Sequence, residues 1–134
     1  MPTIKGTASL ASTTAYEKLL RSTKFPDCYA SGGPVSISCV NLPVLRGWIS
    51  ARLTSLLGFE DDIVAGMVHN LLVQSEDREG GVDPRRLQID LEGFCGPDDA
   101  RTFAGELWDM LVAAQGNQPS GIPPRLIEQK MREM

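Results

Sequence analysis

The chain is poor in the residues that most enzymes and metal sites are built from. It holds a single histidine, His69, and three cysteines, Cys28, Cys39 and Cys95, with no CxxC pair among them. His69 stands between Val68 and Asn70 with no cysteine or carboxylate at ligand spacing, so neither a zinc centre nor any other metal site is expected. An odd number of widely spaced cysteines argues against a disulfide framework and for a reducing compartment. No GxxxxGK[ST] stretch exists to cradle a nucleotide phosphate. No serine or cysteine sits in a recognisable nucleophile setting, so catalysis would rest on carboxylates alone. Asp98 and Asp99 are adjacent at a helix start and point in different directions, which suits capping and not paired acid–base work. A non-catalytic protein without a cofactor is the expectation. No apolar run approaches the about 18 residues of a membrane span, and Met1 to Leu10 lack the apolar stretch of a secretory signal. Internal repeats and low-complexity tracts are also missing.

What remains is an ordinary globular composition, with 42% hydrophobic and 22% charged residues in a length of 134 that suits one domain. The net charge is −4, which alone argues weakly against a nucleic-acid binder. Its distribution is uneven. Residues 1–53 carry six basic side chains (Lys5, Lys18, Arg21, Lys24, Arg46, Arg52) against two acids (Glu17, Asp27), a net of +4. Residues 54–134 carry seven basic and fifteen acidic side chains, a net of −8. The split hints at a polyanion-facing end and an acidic opposite end, unless folding interleaves the two.

Periodicity and punctuation predict helices. Residues 1–10 read as a flexible leader, after which Ser12, Thr13 or Thr14 caps a helix to about Lys24 with Ala15, Tyr16, Leu19 and Leu20 on its apolar side. Pro26 ends it, and Gly32-Gly33-Pro34 breaks a loop in which Val35-Ser36-Ile37-Ser38 alternates like a strand too short to seed a sheet. A second helix over about 42–57 starts near Asn41 and Pro43, carries apolar residues at 44, 45, 48, 49, 53, 56 and 57, and stops at Gly58. Glu60-Asp61-Asp62 then meets the positive end of a third helix, a more economical account than a metal cluster. That helix places Ile63, Val64, Met67, Val68, Leu71 and Leu72 on one face. Gln74 to Pro84 is a solvated loop, and Leu87-Gln88-Ile89-Asp90-Leu91 reads as a short extended segment or part of a turn. A fourth helix opens at Pro97 and ends before Gly116, with Phe103, Leu107, Met110, Leu111 and Ala114 inward and Trp108 on the flank. After a break from Pro119 to Pro124, Arg125 starts a short helix. The sum is an all-α fold: leader 1–10, helical domain 11–117, and 118–134 as linker and start of a C-terminal helix.

The central block also carries a family likeness. Trp48-Ile49 in its helical setting, followed by Leu57-Gly58-Phe59-Glu60-Asp61-Asp62, closely resembles the PWI domain of pre-mRNA processing proteins. Lys5-Gly6-Thr7, Glu17-Lys18-Leu19-Leu20, Lys24-Phe25-Pro26-Asp27-Cys28, Leu91-Glu92-Gly93-Phe94, Asp99-Ala100-Arg101-Thr102-Phe103-Ala104-Gly105-Glu106-Leu107-Trp108 and Gly121-Ile122-Pro123 resemble the N-terminal segment of a splicing coactivator that carries such a domain. The likeness therefore covers nearly the whole chain. One departure is plain: Gly47 stands where the signature has proline, at about 1 kcal/mol relative to Ala in a helix interior. The resemblance implies a four-helix bundle in the nucleus, associated with the spliceosome, that binds single- and double-stranded RNA or DNA weakly and with little sequence preference, aided by a flanking basic segment. Serine/arginine-rich tails usually follow such a domain. No Ser-Arg repeat occurs here, so the chain is a fragment or a reduced relative.

Trp48, Ile49, Gly58 and Phe59 form the structural signature, with Trp48 and Ile49 expected in the core. Trp108 is either core or an exposed stacking platform for a partner. Lys18, Arg21 and Lys24 repeat every three residues and make one stripe along the first helix; it is either a phosphate-contacting face or an ordinary solvated one. Arg46 and Arg52 on the second helix are candidates to extend it. No aromatic residue interleaves with these cations, so contacts fall mostly on phosphates. The rival expectation is a protein–protein docking module in a splicing or mRNA-export complex, using the acidic face and Trp108 against a basic or Arg/Ser-rich partner. Either way the protein is expected to be a monomer without membrane association.

Overall fold

The computed structural model describes residues 15–30, 34–77 and 80–133, and every described element is helical. We number the helices α1 (15–22), α2 (Leu42–Leu57), α3 (Asp62–Gln74), α4 (Pro84–Cys95), α5 (Pro97–Gly116) and α6 (Pro124–Glu133), with short 3-10 turns at Asp27–Ala30, Ile37–Cys39 and Ser75–Asp77. The leader and the capping residues Ser12, Thr13 and Thr14 lie outside the described residues.

Local chemistry sets each boundary. Asn41 accepts the Val44 N–H at 3.4 Å to open α2, and Gly58 closes it in the left-handed region, φ 84°, where a side chain is strained. Asp61 accepts the Ile63 and Val64 N–H groups at 3.0 and 3.2 Å and so caps α3, with Asp62 in its first turn. Among the described residues no group of His, Cys, Asp and Glu is arranged to hold a metal. Pro97 sits in the first turn of α5, where its missing N–H removes no hydrogen bond.

The core is organised around α5. Phe103, Leu107, Leu111, Ala100 and Ala114 are fully enclosed, and Leu45, Ile49 and Leu53 of α2, Val64, Val68 and Leu72 of α3, and Leu87 and Leu91 of α4 close over them. The expected inward side of the fourth predicted helix is the observed one.

Three expectations are corrected. Residues 87–91 are neither extended nor a turn; they lie inside α4, opened by Asp83 accepting the Arg85 and Arg86 N–H groups at 3.1 and 3.4 Å. The alternating pattern misleads because Gln88 is buried: it accepts from the Tyr29 hydroxyl at 2.7 Å and donates to the Lys24 carbonyl at 3.0 Å. Ile63 is 78% exposed, not part of the α3 buried face. It lies in the first turn, off the narrower 64, 68, 72 stripe that meets the core. The loop after α3 is only partly solvated, since Ser75 and Val82 are buried. The Val35-Ser36-Ile37-Ser38 alternation holds without a strand: Val35 and Ile37 are buried, and the Val35 carbonyl accepts from Val82 N–H at 2.9 Å.

Candidate nucleic-acid interface

The five cations singled out by sequence fall in three places. Lys18 and Arg21 are exposed on α1, and Lys24 is exposed just past its end, since the described helix stops at residue 22, short of the expected Lys24. Arg21 lies 3.7 Å from Glu17, one turn back, with both side chains open to water (78% and 54% exposed). Such a pair is worth a few tenths of a kcal/mol, and a stronger anion displaces it. Lys18 and Lys24 have no ion-pair partner among the described residues. Helix α1 meets α4 through the Tyr16 side chain, whose ring centroid lies 5.3 Å from the Arg86 guanidinium carbon.

The α2 cations are placed differently. Arg52 is clamped by Glu106 of α5, Nε to Oε2 at 2.8 Å and Nη2 to Oε1 at 2.7 Å, with a third contact to Ser55 at 3.5 Å. The carboxylate bonds raise the arginine's affinity for its proton further. This guanidinium joins α2 to α5 and has most of its fork already used. Arg46 is exposed and faces α3, sharing a small cavity with Ser50, Asp62 and His69. His69 buries its Nδ1 there without a hydrogen-bond partner.

The signature residues divide in the same way. Ile49 is buried, and Trp48 is half-buried, stacked on Phe103 with ring centroids 5.8 Å apart and planes at 21°. The outer edge of Trp48 lines a largely apolar groove against Leu126 and Met131 of α6. Phe59, just past the Gly58 cap, is 59% exposed.

Trp108 is not an exposed platform. It is 3% exposed, with Tyr29 edge-on to it at 6.3 Å, so the partner-stacking role considered for it is excluded by burial. Tyr29 is itself desolvated, which pushes its phenol well above the ordinary range and keeps it neutral as the donor to Gln88. Burial likewise raises the Cys28 and Cys95 thiols, leaving them poor nucleophiles.

One cation escaped sequence reasoning. Arg101 of α5 lines the same cleft as Lys24. In the linear sequence it stands far from the candidate cations; only the packing of the end of α1 near α5 brings it into the cleft that Lys24 lines.

An all-helical fold with a Trp-Ile pair inside its second helix, an αL glycine cap and an aspartate-capped third helix defines a class. Residues 43–119 match the family model for the PWI domain, and the chain belongs to that family. It is similar to serine/arginine repetitive matrix protein 1 of Gallus gallus, 41% identical over 118 residues, a span that covers 88% of this chain and 12% of that protein. Among the described residues, no helix is long and apolar enough to cross a membrane.

Proposed function

We propose that this chain is a non-catalytic, nuclear nucleic-acid-binding module of a pre-mRNA splicing or processing factor, monomeric, and contacting RNA or DNA phosphates through Lys18, Arg21 and Lys24 with little sequence preference. The observation that carries the reading is the stripe itself: three exposed cations at the edge of a PWI fold, held by nothing stronger than the long Arg21–Glu17 contact. Arg46 is a secondary candidate because its head group is exposed. Arg52 contributes least, because Glu106 already occupies it. Few contacts and a net negative molecule make the binding weak and its salt slope modest, at about −0.7 per contact on a single strand.

The test is an anisotropy titration with generic single-stranded RNA at two salt concentrations. The combined variant Lys18→Glu, Arg21→Glu, Lys24→Glu abolishes binding while circular dichroism stays unchanged. Equal affinity of variant and parent at low salt rejects the reading. Docking to another processing protein then takes its place, through exposed acids such as Glu60, Asp62 and Asp98 and without Trp108.

A further inference from the structure

A cleft of about 320 Å³ opens where the end of α1 meets α4 and α5. Lys24, Ser22 and Thr23 reach it from one side and Arg101 from the other, with Glu92 and Asp98 also on its walls. Two cations from distant parts of the chain thus converge on one space, and among the described residues neither pairs with an acid, although both acids line the same cleft. A phosphate bound there gives both cations the anionic partner they lack. The two head groups are complementary in kind. Lysine offers a compact point charge, whereas arginine offers a planar fork that matches two phosphate oxygens. Ser22 and Thr23 add hydroxyl donors, and the exposed Leu19 with Pro97 gives an apolar wall for a sugar.

We infer that Lys24 and Arg101 together hold one phosphodiester group of a bound single strand, so that Arg101 forms the α5 end of the α1 basic stripe. The inference rests on the nucleic-acid reading above and extends it to a residue outside the stripe. The strand enters from α1, because Glu92 and Asp98 repel it on the α4 and α5 side. Those acids hold the affinity down.

The experiment uses the full chain and a fluorescently labelled oligouridylate, titrated across a salt series. Arg101→Gln weakens binding about three- to fivefold at low salt and makes the log K against log salt slope shallower by about 0.7. Arg101→Lys retains the slope, Glu92→Gln tightens binding by a similar factor, and Arg125→Gln on α6 changes neither quantity. Arg101 is exposed on a helix surface, so the glutamine variant keeps the parental circular dichroism. If Arg101→Gln binds as the parent does while the triple Lys18, Arg21, Lys24 reversal still abolishes binding, the cleft is overturned and the wider reading stands. If both variants bind as the parent does, both fall.

Discussion

Two glycines show how one residue type takes opposite roles, and substitution by alanine reads out the difference. Gly47 lies inside α2, and a Cβ placed there meets nothing within 4 Å. It therefore carries the backbone-entropy penalty of a helical glycine without a packing reason for it. Gly47→Ala is expected to stabilise the protein by about 1 kcal/mol, raising Tm by about 3–5 °C. Gly81 is the reverse case: its φ is +77°, and a Cβ would stand 2.1 Å from the Val35 carbonyl oxygen. That oxygen belongs to the segment that Val82 N–H and the Gln115 side chain hold in place. Gly81→Ala should destabilise by about 2 kcal/mol or more. Thermal denaturation of the two variants checks both; a Gly81→Ala protein as stable as the parent would mean that the 34–36 segment yields freely.

At the level of helices, α2 and α5 are joined across their surface by Arg52 and Glu106, each 31% exposed. The bidentate geometry places this pair above the usual surface contact, yet water still screens it, so a coupling of about 1 kcal/mol is expected. A double-mutant cycle with Arg52→Met and Glu106→Gln measures it by urea denaturation, and a coupling indistinguishable from zero refutes the link. Spacing alone does not show that Arg52 is already paired: Glu106 lies 54 positions away, and no local pattern announces that meeting. Helix α2 was legible from end to end because its cap, proline and terminal glycine are local signals. Helix α4 carries like local signals in Asp83, Pro84 and Gly96, but its apolar–polar alternation masked them, since the burial of Gln88 depends on Tyr29, 59 positions away, and on the carbonyl of Lys24. The candidate interface divides likewise. Lys18 and Arg21 are both exposed on α1 at local spacing, whereas Lys24 lies past the end of that helix and Arg101 lines a cleft with it only through tertiary packing.

Considered as one body, the protein extends its packing past the fourth predicted helix. The expected boundary at 117 leaves 118–134 as linker and start of a C-terminal helix, and the family match ends at 119. Yet Gly121 and Pro123 are buried, the Asn117 side chain donates to the Ile122 carbonyl at 2.9 Å, and the Asn41 N–H donates to the Gly121 carbonyl at 2.8 Å. Leu126 of α6 packs against the core and, with Ile127 and Met131, closes one side of the groove beside Trp48. These contacts tie the segment to the start of α2, the same helix that bears the family signature. A chain ended at 119 therefore loses the cover over Trp48. It is expected to be about 2–3 kcal/mol less stable, from the half-buried apolar side chains given up, and to show red-shifted tryptophan emission. Trp108 stays enclosed by Tyr29 and α5, away from that groove, so the shift reports on Trp48. Unchanged emission and unchanged Tm in the shortened chain would show that α6 adds nothing to the fold and that the domain closes at the end of α5.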